Sequence, residues 1–343
     1  MKTLVVILCQ TRELERTFEG MKRYLLGPTK ADLGLCVAGD SEDVCATAKQ
    51  YGAKHAWSFA EPEDWDCAFS AMAGRKDWSV LQKFKPEYGL FGGIANLCGS
   101  GAIIMYFRDY FRRRMAQEKI LDEYDWLIFT RSDFQWVAEH PHPKLLNPEH
   151  LYHMDGEKYG GVSDRHSVVH RNHFSEFLSV SAPIFEDPAK LVEELIQSNG
   201  KVNNPETYIA WKLECFGLAE KIRFFPYCAY AIRSEGGTTR WSQGKWNERL
   251  GCYVKYPAEY LLSRSSARCF RNQEDWKEFF LGRLPARLRY LYCYLVYSYF
   301  SIQKQRKAPD LTSWIKKWSR TIPRVFLVAY RIAVQRELRG VNL

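Results

Sequence analysis

A chain of 343 residues, 46% hydrophobic and 26% charged, has the apolar mass for a sizeable core and is too apolar for wholesale disorder. Its formal net charge of +9 is unevenly placed: residues 281–343 hold 13 Lys and Arg against 2 Asp and Glu, leaving 36 against 38 in residues 1–280. A near-neutral body argues against nucleic-acid binding by the main domain, and the basic tail points to an anionic surface met by that segment.

The first apolar run, "TLVVILC", has the length of a strand. "MKTLVVILCQTRE" has the outline of a secretory signal, but the run is short and no small-residue cleavage site follows, so a first strand is the better reading. "RELERTFEGMKRYLL" has apolar residues at helical spacing, "LGLCVAGD" is a second strand-length run, and "SEDVCATAKQYG" has a Ser start, an acidic first turn and a Gly stop. Strand, helix, strand, helix builds a parallel sheet whose carboxyl edge carries ligands. Residues 57–100, rich in Trp, Gly and Pro, are expected to form loops and short helices. A long helical pattern, "GSGAIIMYFRDYFRRRMAQEKILDEY", then runs into the buried strand "DWLIFTRSD".

"HPHPKLLNPEHLYHMDGEKYGGVSDRHSVVHR" reads as loop, short strand, loop and strand, and "HFSEFLSVSAPIF" and "PAKLVEELIQSN" as helices. "NPETYIAWKLECFG" opens as a helix on an Asn before Pro-Glu, and "KIRFFPYCAYAIR" is strand-like. A soft boundary near Tyr260 divides a catalytic domain, residues 1–260, from a basic aromatic helical region, residues 261–343. No uncharged run in that region reaches the approximately 20 residues that span a bilayer. A peripheral helix fits, with Trp314, Trp318 and Phe326 entering the interface while Lys316, Lys317 and Arg320 meet anionic headgroups; packing on the domain or dimerisation is the alternative. Ten cysteines without a CxxC pair or zinc spacing read as reduced core thiols in a cytoplasmic protein, peripheral at most on the cytoplasmic membrane face.

The order "VVILCQTR", "CVAGD", long helix, "YDWLIFTRSD", "YGGVSDRHSVVHR" and "NPETYIAWKL" resembles a nucleotide-sugar glycosyltransferase of the GT-A type over roughly residues 1–240. The resemblance implies a mostly parallel, Rossmann-like α/β sheet flanked by helices, a nucleotide-sugar donor, a glycan or lipid-linked acceptor and transfer of a hexosyl or pentosyl group. Carried over by position, Gln10, Thr11 and Arg12 surround the donor and Asp40 meets its base or ribose. The short acidic motif that binds Mn²⁺ or Mg²⁺ and the diphosphate corresponds to Arg131-Ser132-Asp133, making Asp133 the metal ligand. Arg131 stands where the motif has its first acid; it cannot ligate a metal but can pair with phosphate directly, which puts metal dependence in doubt.

Gly160 and Gly161 permit close backbone approach to a ligand, and Asp164 and Arg165 follow just before an apolar strand. An acceptor hydroxyl attacking an anomeric carbon needs a base, and Asp164 is the first candidate for an inverting reaction. Glu206, in the first turn of a helix, is the second. His166, His170 and His173 lack metal spacing and read as surface or packing residues. "FGGIANLCGSGAI" is a candidate phosphate cradle without a Walker or dinucleotide fingerprint, and "SEGGTTRWSQGKW" a candidate flap. Two other classes fit the same chain: a noncatalytic carbohydrate-binding or scaffold protein, indifferent to Asp133 and Asp164, and a nucleotidyltransferase, which releases pyrophosphate.

Overall fold

The computed structural model describes residues 1–74, 77–83, 92–94, 99–156, 158–236, 243–286, 288–289 and 291. The sheet-forming runs are β1 (Thr3–Cys9), β2 (Asp32–Ala38), β3 (His55–Phe59), β4 (Trp126–Thr130), β5 (Phe134–Trp136), β6 (Leu151–Asp155), β7 (Ser167–His170), β8 (Ile222–Pro226), β9 (Ala229–Arg233), β10 (Lys245–Asn247) and β11 (Cys252–Val254). The main sheet has seven strands in the order β3-β2-β1-β4-β7-β6-β8. Pairs β1/β2, β1/β4, β2/β3 and β6/β8 are parallel, and β4/β7 and β6/β7 antiparallel. This is the expected α/β architecture with a mostly parallel sheet.

Side chains of β1 alternate between two layers: Leu4 and Val6 join one core cluster, Val5 and Ile7 the other. Burial on both faces is why the run reads as continuously apolar. The helices that cover the faces include α1 (Leu14–Met21), α2 (Ser41–Tyr51), α3 (Trp65–Ala73), α4 (Gly101–Glu118), α5 (Pro188–Gln197), α6 (Pro205–Cys215), α7 (Pro257–Cys269) and α8 (Gln273–Phe280). α4 buries Phe107 and Phe111 against the layer that holds Phe129, and ends where Lys119 adopts a left-handed conformation. α7 crosses the expected boundary near Tyr260, and Leu262, Phe270 and Trp276 beyond it belong to the second core layer.

Two elements differ from the expectation. "KIRFFPYCAYAIR" forms two strands: β8 pairs with β6 in the main sheet, whereas β9 joins a four-stranded sheet, β10-β11-β9-β5. The chain changes sheets after Pro226, which has no amide hydrogen to continue the ladder. β3, within and just ahead of the stretch expected to be loops and short helices, is an edge strand with only Trp57 fully buried. The eight described cysteines are free thiols, and no described helix is long and apolar enough to cross a membrane. The expected tail helices, with Trp314, Lys316, Lys317, Trp318, Arg320 and Phe326, fall on residues outside those described, as do parts of the expected phosphate cradle and flap.

Candidate functional site

The carboxyl ends of β1, β4, β9 and β11 converge on one edge of the molecule, and because β7 runs against β4 the segment leading into β7 arrives at the same place. Two adjoining cavities open there, of about 170 Å³ and 620 Å³. Both are lined by Ser100 and Ile104 at the start of α4, and by Arg131, Asp164, Arg165 and Lys255. The smaller also takes in Gln10, Arg12, Asp133 and Arg233; the larger takes in Tyr159, Asn203, Asn204, Glu206 and Tyr256. Cys9 and Tyr159, one on each cavity wall, have positive φ values of 88° and 47°. Strain of this kind in non-glycine residues clusters at functional sites.

Arg131, Ser132 and Asp133 form the turn from β4 into β5. Asp133 is only 2% exposed, and both of its oxygens are taken. Arg131 Nε donates to Oδ1 at 2.8 Å and Arg131 Nη2 to Oδ2 at 2.6 Å, while Arg233 Nη1 also donates to Oδ2. Burial opposes ionisation of this carboxyl, but the two guanidiniums outweigh it and hold it below the ordinary carboxylate range. Asp133 thus reaches the expected site but as a counter-ion. Among the described residues no three His, Cys, Asp or Glu side chains gather closely enough to hold a metal ion. A divalent cation at a diphosphate site needs one or two carboxylates free to ligate it beside waters and phosphate oxygens, and Asp133, whose oxygens both face guanidiniums, does not fit that part.

Arg165 is also committed: Nη1 and Nη2 donate to Glu259 Oε2 and Oε1 at 2.9 and 2.8 Å, with the Tyr256 ring 4.6 Å from the guanidinium carbon. Burial disfavours this guanidinium's charge, and Glu259 more than restores it. Asp164, the residue before Arg165, differs. Its half-buried carboxylate lines both cavities and makes no hydrogen bond or ion pair with another described residue. Behind Phe129, the buried guanidinium of Arg108 on α4 lies 5.5 Å from that ring and 4.6 Å from Phe177, and burial lowers it to about 10. It contributes positive potential on the Asp164 side of the wall.

The remaining expected residues divide. Gln10 and Arg12 line the smaller cavity, with Arg12 donating to the Gln10 side-chain oxygen. Thr11 lines a separate recess with Glu13, Arg16 and Tyr51. Asp40 is exposed outside both linings and caps α2, accepting from the Asp43 amide at 2.9 Å. The close approach expected at Gly161 is present, but its partner is the chain itself: a Cβ there would stand 2.1 Å from the Glu206 carbonyl oxygen. Gly160 supplies the positive φ, 85°, that turns the chain into this contact. Val162 N donates to that same carbonyl at 3.1 Å, so the two glycines fasten the Asp164 segment to α6.

His166 packs in the core. Pro141 O can only accept, so His140 carries its proton on Nδ1, 2.7 Å away, and its Nε2 accepts from His166 Nε2 at 3.2 Å. His166 Nδ1 then accepts from Thr130 Oγ1 at 3.3 Å, which ties the pair to the end of β4.

Sequence reasoning missed Arg233, Lys255, Glu259 and Arg108. Arg233 and Lys255 had a signal, since both follow a short buried run, as Arg131 does. Lys255 N donates to Ala231 O at 3.0 Å, which extends the second sheet to the cavity.

No family model and no curated protein matches this chain. Among solved structures it is similar to a glycosyltransferase involved in the glycosylation of the major capsid of PBCV-1, at 10% identity over 66% of this chain and 82% of that one, with a TM-score of 0.34. It is also similar to mouse xyloside xylosyltransferase 1 in its apo form, at 8% identity over 66% of this chain and 85% of that one, with a TM-score of 0.36.

Proposed function

We propose that the chain transfers a glycosyl group from a nucleotide-sugar donor to a hydroxyl of a glycan or lipid-linked acceptor, with inversion at the anomeric carbon. The observation that carries this reading is the carboxylate of Asp164, without a hydrogen-bonding or ionic partner among the described residues, at the junction of the two adjoining cavities. Five cations line the smaller, which suits a diphosphate; the larger shares Arg131, Arg165 and Lys255 with it and adds Tyr159, Asn203 and Glu206, polar groups that suit a hydroxyl-rich ring.

In the reaction so read, the acceptor oxygen attacks the anomeric carbon as Asp164 takes its proton. The bond from that carbon to the phosphate oxygen breaks, and the electron pair leaves with the nucleoside diphosphate. Negative charge grows on the leaving oxygen, where preorganised cations lower the barrier. A divalent cation would supply the same stabilisation, but both Asp133 oxygens are engaged by guanidiniums and are not free to ligate one. Glu206 lies on the wall of the larger cavity and is assigned to orienting the acceptor.

A screen across nucleotide sugars, scoring release of nucleoside diphosphate, tests the reading. The wild type should consume at least one donor, and Asp164→Asn should lose roughly 100-fold or more in turnover while still binding the nucleotide. Release of pyrophosphate, or an unchanged rate in Asp164→Asn, would overturn it. Contact of residues 281–343 with an anionic membrane rests on the interleaved aromatic and basic residues of that segment, and equal vesicle co-sedimentation with and without it would remove the reading.

A further inference from the structure

The cations of the smaller cavity are not equivalent. Arg131 and Arg233 are engaged with Asp133, and Arg165 with Glu259. The ammonium of Lys255 lines both cavities, makes no hydrogen bond or ion pair with another described residue, and lies 5.3 Å from the centroid of the Tyr256 ring. The groups that act on it are Arg131 and Asp133 from the turn after β4, Arg233 at the end of β9 and Arg165 from the segment before β7. Three of these four are cations. A lysine left among arginines with no carboxylate of its own is a charge arranged for a ligand's anion.

Resting on the transfer reading above, we infer that Lys255 receives the diphosphate of the donor, and that this anion is held by the protein's own cations without a divalent metal. The lining composition supports this: Arg12, Arg131, Arg165, Arg233 and Lys255 outnumber Glu61, Asp133 and Asp164. A diphosphate entering the cavity meets net positive charge at close range, in surroundings where water screens poorly. Burial, then Arg131 and Arg233, lower the Lys255 ammonium to about 7 in the ligand-free protein. An arriving anion favours the charged form, so above neutral pH the lysine takes up a proton as the ligand binds.

Calorimetric titration of inorganic pyrophosphate into the full chain tests this, at pH 8 and pH 6, in buffers of differing ionisation enthalpy, with EDTA and with Mn²⁺. We expect binding in EDTA with no gain in affinity on adding Mn²⁺, since the cavity's cations already supply the charge a metal would. Lys255→Gln should weaken binding about tenfold or more, the scale of one charge-assisted hydrogen bond. Lys255→Arg keeps a permanent charge and should bind, but at pH 8 it should take up about one proton fewer than wild type, a difference that vanishes at pH 6. Binding that requires Mn²⁺, unchanged affinity in Lys255→Gln, or equal proton uptake by wild type and Lys255→Arg at pH 8 would overturn the inference. Failure of the transfer reading is distinguishable: pyrophosphate would bind as described while no nucleotide sugar is consumed.

Discussion

Replacing Asp133 by Asn separates a counter-ion from a metal ligand. The carboxylate is 2% exposed and Arg233 1% exposed, and Arg131 closes on the same group through two hydrogen bonds. Neutralising it leaves two guanidiniums sharing a pocket without the anion that made their burial tolerable. Breaking a buried ion pair from one side costs about 3–5 kcal/mol, and because the amide retains one carbonyl acceptor the lower end, about 3 kcal/mol, is expected. Urea denaturation at pH 7.5 followed by tryptophan fluorescence measures it; Trp136 in β5 lies just beyond the Asp133 turn. Arg233→Met should relieve part of the loss, giving a non-additive cycle of about 1–3 kcal/mol. The pH sign is fixed by the depressed pKa: Asp133's contribution is complete above about pH 4, the unfolded value, and is lost as pH falls through the lower folded value. A metal ligand predicts something else, a variant that folds with normal stability and loses only cation-dependent binding. An unchanged urea midpoint in Asp133→Asn together with an additive cycle would refute the ion-pair account.

Glu259→Gln should destabilise the fold by about 3 kcal/mol in the same assay, because Arg165 is equally buried and loses its bidentate partner. Gly161→Ala forces a Cβ into the backbone of Glu206 and should cost roughly 1–3 kcal/mol, with a fall in turnover as the Asp164 segment lifts from α6; wild-type melting and turnover would count against that contact. His140 and His153 are fully buried and burial lowers each to about 3, so between about pH 6.5 and pH 3 the unfolded chain binds protons that the folded chain does not. Stability is therefore complete above pH 6.5 and declines as pH falls, by up to about 1.4 kcal/mol per pH unit for each histidine, and His153→Gln should flatten urea midpoints measured from pH 7.5 to 5.

The main sheet was legible because a strand buried on both faces must be apolar throughout, and "TLVVILC" and "DWLIFT" have no other stable placement. The edge strand β3 was not, since its half-exposed "HAWSF" lacks that signature. The "TRSD" that ends β4 lines a cavity. Its wiring was hidden, because Arg233 stands 100 residues away on a second sheet that sequence pattern alone does not bring alongside β5. Glu259 is likewise 94 residues from Arg165, and only the packing of α7 joins them. Gly161 illustrates the converse: a glycine reveals that something comes close, not whether it is a ligand or the chain's own backbone.

The position of Asp133 also explains how so many cations can share one cavity. Five guanidinium and ammonium groups around about 170 Å³ would repel one another, and the lysine, the easiest of them to deprotonate, would give up its charge first. Asp133 offsets two of the arginines and adds a favourable field at Lys255, whereas Glu259 holds a third arginine from outside the lining. Asp133→Asn should therefore do more than loosen the fold. By removing a carboxylate that favours the charged form of Lys255 it should push that lysine's titration lower, so that at pH 6, where the wild-type lysine already carries most of its charge, pyrophosphate binding by the folded variant draws in more protons than binding by wild type. Equal proton uptake by the two proteins at pH 6, measured in EDTA, would refute the coupling between Asp133 and Lys255.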